Sequence, residues 1–129
     1  METGIFHGYM TTILLAFILQ QTGFWVLMIP AGAIGAVFTR RILHAFVTGF
    51  LGVATAWSMI FLYLNYIGQA YVVGEFFAVL IGAPGFGRLV VSLSILLGGL
   101  LGGFGGVVGR TSLELVEELR LTKTSHQDD

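Results

Sequence analysis

The sequence predicts an all-α integral membrane protein, a compact bundle of four transmembrane helices with Gly/Ala-rich interfaces and a short re-entrant or interfacial segment at residues 72–84. Of the 129 residues, 56% are hydrophobic and only 10% are charged, whereas a soluble domain carries about 25% charged residues. Residues 3–39, 42–74 and 89–109 contain no Asp, Glu, Lys or Arg. About 20 such residues span the hydrocarbon core of a bilayer.

The first charge-free stretch predicts two spans, at residues 5–19 and 24–38. The stretch is too long for one straight crossing, and Gln20, Gln21 and the two residues after them supply a polar turn. One longer span kinked at Pro30 is the alternative, because proline removes a helical hydrogen bond.

The middle of the chain predicts a third long span and one segment too short to cross. Two arginines precede a span at residues 42–66. The apolar run that follows has about 11–14 residues, which suits a re-entrant or interfacial segment better than a crossing. A Pro/Gly-rich break at residues 83–87 separates it from the last span, at residues 89–109. Residues 1–110 are therefore expected to form one transmembrane domain.

The basic residues predict the orientation. If residues 72–84 do not cross, one face of the membrane carries five of the six Lys and Arg residues, and only Arg88 lies opposite. The excess of positive charge on cytoplasmic loops then places both termini in the cytoplasm of a multi-pass protein of the cell membrane. If the segment crosses, there are five crossings and the basic residues divide three against three.

The polar tail, residues 111–129, is expected to be partly helical. Thr111 and Glu114 have the spacing of a capping box, in which a hydroxyl and a carboxylate satisfy the free amides at the start of a helix.

Small residues at helical spacing predict close packing of three spans. Residues four or three apart lie on one face of a helix, and faces of small residues let membrane helices approach closely. The helix-packing residues expected on this basis are Gly32, Ala36, Ala45, Gly49, Gly52, Ala56, Gly98, Gly102, Gly105 and Gly109. A pore or lipid path is the alternative use of such a face. The last span carries small residues over half its circumference, which suggests one contact within the subunit and one between subunits.

A few polar residues are candidates for chemistry. Glu75 is the only acid between Glu2 and Glu114, and an ionisable residue inside a membrane is a candidate functional site. The alternative is structural: an acid suits the N-terminus of a helix, and Arg88 is its expected ion-pair partner. Gln20 and Gln21 are either turn residues or a polar patch that faces a cavity.

The composition excludes most other classes of function. The chain has no cysteine and a net charge of −1, so thiolate chemistry and nucleic-acid binding are not expected. No catalytic residue, metal site or cofactor motif is identified, and enzyme activity is not expected. The leading hypothesis is a small structural or accessory membrane protein that contacts lipids and forms a homo-oligomer or joins other membrane subunits. The alternatives are a small transporter or channel using Glu75, Gln20 and Gln21, and a lipid-binding membrane protein.

Overall fold

The computed structural model describes residues 2–125, which are all-helical and contain no strand. A short 3-10 helix, Trp25–Leu27, precedes the second of five α-helices. The α-helices are α1 (Glu2–Gln20), α2 (Met28–Ala36), α3 (Ile42–Tyr66), α4 (Ala70–Leu80) and α5 (Gly87–Ser125). Two of them, α3 and α5, are long and apolar enough to cross a membrane.

The four helices α1, α2, α3 and α5 pack side by side with alternating directions. Thr12 of α1 lies against Gly52 of α3, and Gly8 lies nearer the start of α3 beside Thr48, so α1 and α3 are parallel. α5 runs antiparallel to α3, because Gly98 lies beside Trp57 whereas Gly106 lies beside Ala45. α2 and α3 contact each other, and each also contacts both α1 and α5.

The second span differs from its prediction. The α-helix covers only Met28–Ala36, nine residues, and is shorter than the predicted span at residues 24–38. The chain before it forms the 3-10 helix, and residues 37–38 form a turn. Pro30 stands in the first turn of α2, where its missing N–H costs no helical hydrogen bond. It therefore helps to start this helix and does not kink a longer one.

α4 begins and ends at one end of the antiparallel α3–α5 pair. It is connected to the end of α3 by residues 67–69 and to the start of α5 by residues 81–86. Gly74, near its middle, lies against Gly87 at the first turn of α5. With 11 residues, α4 is about 16 Å long. The predicted break falls at this second connection, where Gly82 and Gly85 have φ of 78° and 89°.

α5 continues without interruption into the polar tail. Its 39 residues end at Ser125, so the predicted start of a separate helix at Thr111 is wrong. The Thr111 hydroxyl donates to the Val107 carbonyl oxygen at 2.9 Å within the continuous helix. Glu114 forms an ion pair with Arg110 at 2.9 Å and does not close a capping box.

The interior is built from small side chains. Among the residues whose burial the structure describes, nine hydrophobic residues are buried: seven alanines, Met28 and Val53. Large hydrophobic residues are exposed along every helix, among them Leu14, Leu43, Leu62 and Leu96. This distribution is the reverse of a water-soluble core, where large apolar side chains are the most buried.

Candidate functional site: the glycine-lined helix interface

Backbone touches backbone where α3 and α5 cross. A Cβ atom on Gly102 would lie 2.6 Å from the Gly49 carbonyl oxygen and would also strike the Val53 side chain. A Cβ on Gly49 would in turn strike the Gly102 carbonyl oxygen, and one on Gly106 that of Ala45. Real Cβ contacts under 3.0 Å essentially never occur, so this crossing requires glycine at these positions.

α2 covers the glycines of α5 that do not face α3. We call Gly98, Gly99, Gly102, Gly103, Gly105, Gly106 and Gly109 together the glycine face. A Cβ on Gly109 would lie 2.6 Å from the Ala33 Cα atom, and one on Gly105 would strike the Ile29 carbonyl oxygen. Gly32 of α2 approaches the Gly102 carbonyl oxygen just as closely. Both contacts of the glycine face therefore lie within one chain, where we had expected one of them between subunits.

A third close junction joins α1 to α2 and α3, and the sequence analysis missed it. Thr12 is completely buried, and its hydroxyl donates to the Gly8 carbonyl oxygen at 2.9 Å. A Cβ on Gly52 would lie 2.6 Å from the Thr12 Cβ, and one on Gly8 would lie 2.7 Å from the Gly35 carbonyl oxygen. The signal was the four-residue spacing of Gly4, Gly8, Thr12 and Ala16.

The predicted packing residues thus serve different neighbours. Gly32, Gly49 and Gly102 meet at one point, whereas Gly52 faces α1. Ala36, Ala45 and Ala56 are buried. Gly98 differs from the other glycines of α5, because a Cβ there would lie 3.4 Å from the Trp57 ring, which is an ordinary contact distance.

Glu75 caps the start of α5. Its carboxylate accepts hydrogen bonds from the backbone N–H of Gly85 at 2.5 Å and of Gly87 at 3.1 Å. The first amides of a helix lack intrahelical partners, and a negative charge is favourable at that end of the helix. The predicted ion pair of Glu75 with Arg88 does not form among the described residues, where Arg110 and Glu114 are the pair observed and Glu75 binds backbone amides.

The two predicted glutamines, Gln20 and Gln21, lie where α1 turns towards α2. Gln21 is exposed in the turn at residues 21–23. The Gln20 Oε1 atom is buried without a hydrogen-bond partner in the described chain, as are Thr48 Oγ1 and Trp57 Nε1. Four grooves on the described part of the chain, two of which contain Glu75 or Arg88, are lined by neither glutamine.

Apolar grooves run along the outside of the bundle. One of them, about 490 Å³, lies between α3, α4 and α5 and is lined by Asn65, Tyr71 and Arg88 together with apolar residues. Another, about 530 Å³, lies beside Trp57 and Phe104 and has an almost wholly apolar lining. Among residues 2–125, no group of three or more His, Cys, Asp or Glu residues could hold a metal ion.

One ring contact and one hydrogen bond complete the interfaces. Phe46 of α3 meets Phe104 of α5 edge to face, with ring centroids 5.9 Å apart. Tyr9 of α1 and Thr55 of α3 share a hydroxyl–hydroxyl hydrogen bond of 2.9 Å. These contacts hold side chains around the backbone crossings.

Comparisons with protein-family models, with curated proteins and with solved structures find no match for this chain.

Proposed function

We propose that this chain is a small integral membrane protein with a structural role, a closely packed helical unit that works as a homo-oligomer or as a subunit of a larger membrane complex. The observation that carries the proposal is the reversed distribution of side chains, with alanine and glycine inside and large apolar residues outside. In water, contiguous exposed apolar surface of this kind promotes association. In a bilayer the same side chains face lipid.

The two long helices support a membrane location further. Only 33% of the apolar window of α3, and the same share of that of α5, is buried inside the protein. The core helix of a soluble domain would be mostly buried. In our proposal the outward-facing remainder contacts acyl chains, except where another subunit packs against it.

The alternating directions of the helices favour four crossings with both termini in the cytoplasm. The second crossing is then made by the 3-10 helix, the nine-residue α2 and the turn that follows it. α1, α2, α3 and α5 alternate in direction, while α4 stays at the end where α3 finishes and α5 begins. Arg88 lies at that end, and the other five basic residues lie at or beyond the opposite end: Arg40, Arg41, Arg110, Arg120 and Lys123. The positive-inside rule then places the end of the bundle with the five basic residues in the cytoplasm. It places α4 at the outer interface.

Close packing explains why the role is proposed to be structural. In lipid, apolar side chains gain little from meeting one another, so membrane helices associate mainly through van der Waals contact and interhelical hydrogen bonds. The backbone contacts of α5 with α2 and α3 provide such contact. The polar candidates for transport or channel activity, Glu75, Gln20 and Gln21, are divided between two hairpins, so no observation favours that function over a structural one.

Membrane fractionation followed by extraction at alkaline pH tests the proposal. We expect the tagged full-length chain to stay in the pellet, as integral membrane proteins do, and to be released only by detergent. Affinity purification in mild detergent then identifies copies or partner subunits that remain bound. Release of the chain into the alkaline supernatant would overturn the membrane assignment, and a strictly monomeric chain without partners would overturn the assembly role.

A further inference from the structure

One face of α5 carries a regular row of exposed large apolar residues. The intervals along this row are four, seven, four, seven and four residues, and the exposed fractions run from 49% to 62%. An 11-residue repeat matches about 3.67 residues per turn, so such a row stays on one face of a nearly straight helix. We call it the α5 stripe: Leu93, Leu97, Phe104, Val108, Leu115 and Leu119.

The α5 stripe lies away from the glycine face. At 3.6 residues per turn, the centres of the two faces are roughly 140° apart around the helix. Because α2 and α3 cover the glycine face, most of the stripe remains free for another partner, and Phe104 alone of its six residues also makes a ring contact with α3, at Phe46. From Leu93 to Leu119 it is about 39 Å long.

The stripe continues beyond the part of α5 that lipid can cover. Leu115 and Leu119 are 58% and 62% exposed, although the tail around them carries Glu114, Glu117 and Glu118. Charged side chains at this density exclude the segment from the hydrocarbon core. Leucines that continue the stripe into water therefore point to a protein partner.

The charges beside these leucines indicate which partner fits. Glu118 lies about 60° to one side of the stripe and Lys123 about 80° to the other. When two copies of such a helix pack in parallel, the acidic flank of each meets the basic flank of its partner. The interval of five residues from Glu118 to Lys123 is that of an interhelical g-to-e ion pair. An antiparallel pair would place like charges together.

We infer that the α5 stripe is a self-association surface on which a second copy of this chain packs in parallel, with the contact extending into the tail between residues 112 and 123. The inference names the partner in the proposed function. It rests on that function for the common orientation of the two copies and for the exclusion of the tail from lipid. It places the contact between chains on large apolar residues and leaves the glycine face to contacts within the chain.

Cysteine crosslinking of the full-length chain tests the inference directly, because the native chain contains no cysteine. Single variants Leu115→Cys and Leu119→Cys place thiols on the stripe. The matched controls Leu113→Cys and Leu121→Cys are two residues away and roughly 160° around the helix. A disulfide requires Cα atoms within about 7 Å, so we expect covalent dimers for the stripe variants and none above background for the controls.

A charge exchange gives a second readout in the Leu115→Cys background. We expect Glu118→Lys to lower the crosslinking yield roughly twofold and the double exchange with Lys123→Glu to restore it. Equal crosslinking at stripe and control positions, or none at the stripe, would overturn the inference. Release of the chain from membranes at alkaline pH with the stripe crosslinks intact would overturn only the proposed membrane role.

Discussion

The carbonyl oxygen of Gly49 lies 2.6 Å from the position that a Cβ atom on Gly102 would occupy. The oxygen belongs to the α3 backbone, which cannot rotate away as a side chain can. The same helix α5 passes Trp57 at Gly98 with room for a methyl group, at 3.4 Å. Residue 102 therefore must be glycine, whereas residue 98, one turn earlier on the same helix, has space for alanine.

Alanine substitution at these two positions gives the first prediction. Gly102→Ala overpacks the α3–α5 crossing, and such overpacking costs about 1–3 kcal/mol. Gly98→Ala should leave stability unchanged or raise it slightly, because alanine favours a helix over glycine by about 1 kcal/mol. Thermal unfolding in mild detergent, followed by circular dichroism, measures the difference. Equal losses of stability in the two variants would contradict the backbone contact.

The hydrogen bond between Tyr9 and Thr55 gives the second prediction. It joins the α1 and α3 side chains at 2.9 Å. Interhelical hydrogen bonds in membrane proteins contribute about 0.6 kcal/mol on average. A double-mutant cycle with Tyr9→Phe and Thr55→Val should give a coupling energy of that size, whereas additive effects would show that the two hydroxyls do not interact.

The cap on α5 gives the third prediction. Glu75→Ala removes the acceptor of the Gly85 and Gly87 amides, and hydrogen bonds to a charged group contribute about 1.5–3 kcal/mol. We expect both amides to exchange with solvent deuterium at least roughly tenfold faster.

Two variants control for the cap. Glu75→Gln keeps one carbonyl oxygen as an acceptor and should have an intermediate effect. Arg88→Gln should leave exchange at Gly85 and Gly87 unchanged, because Glu75 does not pair with Arg88 in the described chain. A large effect of Arg88→Gln would contradict this account of the cap.

The position of α4 gives the fourth prediction. Gln69 and Arg88 flank the α4 segment and are both exposed. If α4 stays at one end of the bundle, Gln69→Cys and Arg88→Cys should react with an impermeant thiol reagent from the same side of the membrane. Ser112→Cys, in the tail, should react only from the other side. Labelling of Gln69→Cys and Arg88→Cys from opposite sides would show that the segment crosses.

Local signals in the sequence predicted where helices and turns lie more accurately than they predicted which helices contact each other. The boundaries of α3, residues 42–66, agree with the structure because the basic turn before the helix and the polar residues after it are local features. The predicted second helix was too long, since apolar composition does not distinguish α-helix from 3-10 helix and turn at residues 24–38. Continuous helicity through Thr111 was also missed, because a capping-box spacing occurs equally inside a longer helix.

The candidate polar site shows the same limit. The sequence identified Glu75 as an unusual acid and suggested a helix N-terminus, but the helix that it caps is α5 and not its own. Ten or twelve residues separate Glu75 from the amides that it binds. The turn between α4 and α5 brings them together, and no periodicity within either helix encodes that distance.

By itself, the sequence determined that the chain is helical, where most of its breaks fall and which faces carry small residues, because these properties depend on neighbours within a few positions. Only the tertiary structure decided which backbone each glycine meets. It assigned Gly102 to α2 and α3 together and Gly52 to α1, and it left most of the α5 stripe uncovered. The physical reason is that small residues permit close approach to any helix, whereas the partner is fixed by how all the helices pack at once.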